Sequence, residues 1–412
     1  MKMLLVSEVK KELEEDILPF WIKNTPDEKN GGFIGRISGC NDKYPDAPKG
    51  AVLNVRILWA FSAAYRLLRN EEYLKMAERA KVYIINNFYD KKFGGVYWSL
   101  TAGGEPLDDK KQIYALGFAI YGLSEFYRAT GDEESLEYAC RLFRSVEKYS
   151  FDPVKNGYLE ACKRDWSPIA DLRLSEKDEN EKKTMNTHLH ILEAYTNLYR
   201  VWKDDSLKKR LYNLIDIFLT KILDRTTGHM NLFFDEDWNS RYDIISYGHE
   251  IEASWLLYEA AAVLGDKDMM ERAREAVPLI VRAAGEGLQS DGSMMYETRI
   301  KKLDIKNKKN PAVSYICKTA DLSRQWWVEA ETVLGYLSYY INFGDENALD
   351  KAMLCWKYIK YNLIDTKNGE WFWAVDDKGC PDVANDKTGF WKCPYHNSRM
   401  CLNVMEWLES EN

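Results

Sequence analysis

The chain has 412 residues, 46% of them hydrophobic, enough for a sizeable core in one large fold or in two or three domains. A net charge of −8, with both signs interspersed and no basic patch, excludes the electrostatic footprint of a nucleic-acid binder. No stretch reads as a signal peptide or a membrane span, and the eight cysteines include no Cys-x-x-Cys pair, so a cytoplasmic protein with reduced thiols is expected.

Met1 to Phe20 alternates Lys and Glu with Leu and Val, as an amphipathic helix does. Beyond it two landmarks alternate along the chain. The first is a glycine-centred turn, in most cases followed by aromatic residues: Asn30-Gly31-Gly32-Phe33, Phe93-Gly94-Gly95, Asn156-Gly157-Tyr158, Thr227-Gly228-His229, Asp291-Gly292-Ser293 and Asn368-Gly369-Glu370-Trp371. The second is a short polar break: Arg69-Asn70-Glu71, Thr130-Gly131-Asp132, Lys203-Asp204-Asp205, Leu264-Gly265-Asp266 and Phe343-Gly344-Asp345. Each break separates segments with apolar residues at i, i+3, i+4 and i+7, such as Ile57-Leu58-Phe61-Tyr65-Leu68.

The repeating unit is therefore helix, tight turn, helix, then a longer loop with short extended strands. The six glycines are spaced 63, 63, 71, 64 and 77 residues apart, too far for common helical solenoid repeats. The spacing predicts an all-α fold, an (α/α)6 barrel with inner helices around a central cavity and short strands in the rim loops; an open solenoid is the alternative. With no linker or low-complexity stretch, residues 1–412 are expected to form a single domain, and the segment from Lys301 to Lys318 a loop inserted on the rim.

The chain holds only five histidines, and three of them, His190, His249 and His396, each centre a dense polar and aromatic cluster. In Met185-Asn186-Thr187-His188-Leu189-His190-Ile191-Leu192-Glu193, helical geometry sends His188 and His190 to opposite sides, while Asn186, His190 and Glu193 share one face. In Ser246-Tyr247-Gly248-His249-Glu250-Ile251-Glu252, His249 and Glu252 stand at i, i+3, where the carboxylate is expected to orient the imidazole. The third cluster is Trp391-Lys392-Cys393-Pro394-Tyr395-His396-Asn397-Ser398-Arg399-Met400. His229, after a turn glycine, reads as an ordinary surface residue. In a barrel the three cluster histidines converge on the cavity.

Arg56, on an otherwise apolar helix, needs an acceptor: a sugar oxygen, an enolate, or an inward carboxylate. Trp326 and Trp327 diverge on a helix, so at most one stacks on a ligand. The surplus of 14 Trp and 26 Tyr suits a pocket for flat, hydroxylated ligands. No phosphate-binding glycine loop, Ser-His-Asp order or zinc spacing stands out, although His249, Glu252 and His190 permit a metal site. Imidazoles, a guanidinium and stacking rings suit moving a proton α to the carbonyl of a sugar.

At these residues the chain resembles the cellobiose 2-epimerase branch of the N-acylglucosamine 2-epimerase superfamily. The resemblance runs from Ile17-Leu18-Pro19-Phe20-Trp21 and Gly31-Gly32-Phe33 through Arg56-Ile57-Leu58-Trp59, Lys183 to His190, Ser246-Tyr247-Gly248-His249, Trp326 to Glu331, and Trp391 to Asn397 with Arg399-Met400-Cys401. It implies an (α/α)6 barrel and cofactor-independent, metal-free inversion at C2 of the reducing-end glucose of β-1,4-linked disaccharides, through a cis-enediolate. It further implies that His249 and His396 are the acid/base pair and that His190 assists ring opening. Arg56 would steady the enediolate with Tyr114, Asn186 and Glu252; Trp391 and one of Trp326 and Trp327 would stack on the sugar, with Glu331 also at the substrate. A monomer with no nucleic-acid or membrane partner is expected. The segments Lys177 to Lys182 and Lys301 to Lys318 depart from the family pattern, which leaves the disaccharide preference open.

Two other classes stay in view. One is an epimerase or aldose–ketose isomerase of free mannose or N-acetylmannosamine. The other is an (α/α)6 glycoside hydrolase, which needs two carboxylates flanking the bond, with Glu252 and Glu331 as candidates.

Overall fold

The computed structural model describes residues 2–240, 242–305 and 313–409. The chain opens with α1 (Lys2–Glu12), a π-helical turn (Leu13–Ile17) and α2 (Leu18–Asn24). Five helical hairpins follow: α3 (Ala51–Leu68) with α4 (Glu71–Tyr83), α5 (Ile113–Thr130) with α6 (Glu133–Tyr149), α7 (Met185–Val201) with α8 (Asp205–Ile217), α9 (Tyr247–Leu264) with α10 (Lys267–Ala284), and α11 (Trp326–Phe343) with α12 (Glu346–Asn362). The last helix is α13 (Tyr395–Glu409).

Each hairpin turn is built by its sequence. Gly131, Gly265 and Gly344 end their helices in the left-handed conformation that glycine adopts without steric cost. The polar residue that follows caps the next helix: Asn70, Asp132, Asp204, Asp266 and Asp345 each accept a backbone N–H from its first turn. The first helix of each pair is buried almost all round and the second on one face, which sorts them into inner and outer layers. Contacts α3–α5, α5–α7, α7–α9, α9–α11, α11–α13 and α13–α3 close the inner helices into a ring. The fold is the (α/α)6 barrel, not an open solenoid.

The sixth pair joins the two ends of the chain, α1 packing outside α13. Indoles fasten this closure: Trp356 and Trp371 donate to Glu8 and Glu12 at 2.8 Å each. Around the rim, an antiparallel bridge straddles every glycine turn, from Pro26–Phe33 to Ile364–Trp371. Short strands stitch neighbouring repeats. Lys111–Gln112, which leads into α5, pairs with Ala161–Cys162, and Lys183–Thr184, which leads into α7, pairs with Phe233–Phe234. Buried lysines pin the turns beneath them, Lys49 to Asp27 at 2.8 Å and Lys111 to Asp90 at 2.9 Å.

Two expectations change. The segment expected as an inserted loop forms, in its described part, two paired antiparallel strands, Glu297–Ile305 and Val313–Asp321, because the first pairs with the strand Ile244–Ser246 and extends its sheet. Helix α3 is by length and composition apolar enough to cross a membrane, but 78% of that stretch is buried as a wall of the barrel.

Candidate active site

The early turns of the inner helices meet at one end of the barrel. Ring contacts join Tyr114 of α5 to His190 of α7 (4.9 Å), His249 of α9 to Trp327 of α11 (4.7 Å), and Trp327 to His396 of α13 (5.7 Å). Trp391, just before α13, reaches Tyr114 at 5.8 Å. Arg56 of α3 lies over the rings of Phe118 (4.1 Å) and Tyr395 (4.8 Å). Converging helix N-termini give this end a positive potential that favours developing negative charge.

The three imidazoles are held differently. His190 Nδ1 lies 2.9 Å from Glu193 and His396 Nδ1 lies 2.7 Å from Glu331. A carboxylate only accepts, so Nδ1–H donates and Nε2 is left as a base. His249 Nδ1 instead meets the Ser246 hydroxyl at 2.7 Å. Burial lowers the basicity of all three. His249 falls to about 3, with His190 and Arg56 adding to the effect. His396 falls well below its ordinary value through burial and then Arg56 and Arg399, and His190 falls through burial against the pull of Glu193.

Behind them Arg399, fully buried, gathers three inner helices. Its Nη1 bonds Glu193 of α7 and the Tyr395 hydroxyl, and its Nη2 donates to Glu252 of α9 at 2.5 Å and Glu331 of α11 at 2.6 Å. Three carboxylates face one guanidinium, and the excess is relieved at Glu252, whose carboxyl is pushed well above the usual range by burial and by Glu331. Burial alone would also raise Glu193, but Arg399 overrides it and holds it below the ordinary value. Glu252, Glu331 and His396 lie within 4.8 Å of one another, at metal-ligand spacing, but both carboxylates are already engaged by Arg399.

Several expected placements change. Glu252 does not orient His249, because Arg399 takes its carboxylate and Ser246 takes the imidazole. Glu331 sits behind His396 and also accepts the Trp255 indole N–H at 3.0 Å, so it backs the imidazole. Of the tandem tryptophans, Trp326 packs on Trp373 at 4.5 Å and is buried, whereas Trp327 lies against both His249 and His396. Arg56 donates to the Tyr114 hydroxyl at 2.7 Å, forms no carboxylate pair among the described residues, and keeps its Nε buried without a partner. The Asn186 carbonyl oxygen is likewise buried and unpartnered, and Asn186 and His249 line a pocket that runs out to Leu172, Arg173 and Asp178 on the rim.

His188 does point away: its Nε2 accepts the Tyr158 N–H at 2.9 Å, and its Nδ1 donates to the Thr184 carbonyl. His229 is not an ordinary surface residue, since its Nδ1 lies 3.1 Å from buried Glu250, the neighbour of His249. Sequence reasoning assigned no role to Arg399 or Ser246. A signal for Arg399 existed, an arginine three residues after His396 on the same helix; Ser246 stood in the second histidine cluster, three residues before His249, with no role given to it.

An (α/α)6 barrel that brings together buried His190 and His396, half-buried His249, aromatic walls and an arginine without a carboxylate partner among the described residues suits a sugar-transforming enzyme of the isomerase class. The chain belongs to the N-acylglucosamine 2-epimerase (GlcNAc 2-epimerase) family, whose model matches residues 32–398. It is 57% identical over 402 residues to the cellobiose 2-epimerase of Bacteroides fragilis, covering 98% of this chain and 99% of that protein. The structure of the cellobiose 2-epimerase from Bacillus thermoamylovorans superimposes with a TM-score of 0.91 at 40% identity, covering 99% of this chain and all of that one (100%). A crystal structure of D-mannose isomerase shares the fold, with a TM-score of 0.79 at 18% identity over 97% of each chain.

Proposed function

We propose that this chain inverts C2 of the reducing-end glucose of β-1,4-linked disaccharides, cellobiose to glucosyl-mannose and lactose to epilactose, using side chains alone. The observation that carries the reading is the pair of imidazoles, His249 and His396, set against one indole, Trp327, beside an arginine whose Nε has no partner. The similarity to cellobiose 2-epimerases points to the disaccharide.

In this mechanism His190 lies at the anomeric and ring oxygens and helps open the ring. One of His249 and His396 takes the C2 proton of the open-chain aldose, and the C–H electrons move into a cis-enediolate. Arg56 and the helix N-termini stabilise its oxygens. The enediolate then presents its other face; the first imidazolium gives its proton up to solvent, the second imidazole takes one from solvent at Nε2, and that proton is delivered to C2, so both rings end neutral. Depressed basicity keeps the imidazoles neutral at pH 7, and the charge of one that has taken a proton is offset only beside the anionic intermediate. Trp327 and Trp391 stack on the sugar rings, and Asn186 offers its free carbonyl to a hydroxyl. The carboxylates that a hydrolase would use, Glu252 and Glu331, are bound by a single guanidinium nitrogen, which favours imidazole chemistry.

The test is incubation with cellobiose in D2O followed by proton NMR, with and without EDTA. Glucosyl-mannose bearing deuterium at C2, formed equally in EDTA, is expected. Release of glucose, reaction of mannose alone, or loss of turnover in EDTA restored by a metal would each overturn a part of the proposal.

A further inference from the structure

We propose that Ser246 is the positioning residue of His249: its hydroxyl holds Nδ1 in either proton state of the ring and so lets this imidazole both release and accept a proton at Nε2. The inference rests on the reading of His249 as one of the acid/base pair.

Ser246 immediately precedes α9, where a serine ordinarily caps the helix by accepting an N–H from the first turn. It makes no such bond. Thr184, at the same place before α7, does cap, accepting the Thr187 N–H. The Ser246 hydroxyl is turned instead to His249 Nδ1, 2.7 Å away. Leaving the cap unmade forgoes helix stability for a contact with the imidazole. The residue itself is fixed: it is 3% exposed, its backbone is extended at φ −111, and its strand pairs with the hairpin at Glu297.

The chemistry of the partner matters. Glu193 and Glu331 accept from His190 and His396 and hold Nδ1–H in place. A hydroxyl both donates and accepts. It accepts from Nδ1–H when His249 is charged or has its Nε2 lone pair free, and it donates to Nδ1 when the proton sits on Nε2. It adds no negative charge of its own beside the imidazole. The charged and titratable groups acting on His249 from the barrel are Arg56 from α3, His190 from α7 and Glu331 from α11, and Glu160, Arg173, Asp178, Glu179 and Glu181 line the pocket it faces. Glu252 on its own helix is held by Arg399, and His396 of α13 shares the Trp327 ring.

The experiment compares Ser246→Ala, Ser246→Thr and His249→Ala, measuring kcat, KM and the pH profile of kcat/KM on cellobiose, with circular dichroism as the fold check. Ser246→Ala is expected to lower kcat by about 10–100-fold with KM changed less than ~2-fold, and to move the acid limb of the profile. Ser246→Thr, which keeps the hydroxyl, is expected to return to within ~3-fold of the parent. Full kcat in Ser246→Ala, or a loss that leaves the pH profile unmoved and that Thr does not rescue, overturns the inference. Full turnover in His249→Ala would instead sink the assignment of His249 itself.

Discussion

At the far end of the inner helices, Glu125 of α5 lies buried between Arg66 of α3 and Arg128 of α5, accepting at 2.7 Å from each. Arg66 goes on to Glu406 of α13 at 2.9 Å, and Arg128 to Asn197 of α7 at 2.7 Å. Burial alone would raise Glu125, but Arg128 and Arg66 override it and hold its carboxyl low. At the end that bears the candidate site, charge is buried as deeply but left incomplete. Arg56 Nε, the Asn186 carbonyl and one oxygen of Glu252 lack partners, and each imidazole spends only Nδ1 on the protein. Satisfied buried charge cross-links the helices; unsatisfied buried charge awaits a ligand.

The largest expected effect breaks the site end alone. His396→Ala and His249→Ala are each expected to lower kcat on cellobiose by about 10³-fold with unchanged circular dichroism. Substantial residual turnover in either would unseat the pair. Arg56→Lys keeps the charge but loses the planar stack on Phe118 and the unpaired Nε–H, so kcat should drop by about 10²-fold while thermal stability holds. At the far end the pattern should reverse. Glu125→Gln is expected to leave kcat within ~2-fold while costing about 3 kcal/mol in a denaturant titration, since it leaves Arg128 with no carboxylate and Arg66 with Glu406 alone.

The smallest effects are in pH. Because burial depresses His249 and His396, both stay neutral at pH 6.5, and the acid limb of kcat/KM should lie below that value. The same depression destabilises in acid: below pH 6.5 the unfolded chain protonates His249 while the folded chain resists until about 3, so its contribution is lost as pH falls through that window. The slope of stability between pH 6.5 and 4 should therefore be shallower in His249→Gln than in the parent.

Much of the barrel was legible because its rules are local. Capping aspartates, helix-ending glycines and a 3.6-residue apolar period act within a few residues of one another, so the six repeats and their turns could be read off the chain. The convergence of His190, His249 and His396 followed from placing each near the start of an inner helix. The misplacements all involved partners far apart in sequence. His249 and Glu252 are neighbours on one helix turn, yet Arg399, 147 residues beyond Glu252, takes the carboxylate. Glu331, suspected of touching substrate, meets His396 from 65 residues away.

By itself the sequence determined the helix pairs, their number, and which residue types could move a proton. Tertiary structure alone decided which carboxylate backs which imidazole, that Trp327 lies against both His249 and His396 while Trp326 reaches only His396, and that the Ser246 hydroxyl turns from its helix to hold His249. The physical reason is the short range of a hydrogen bond. Periodicity fixes the face of a helix to within a residue or so, but a donor must lie about 3 Å from its acceptor. Only closure of the ring, with α13 seated between α3 and α11, brings Arg399 within that distance of three carboxylates at once.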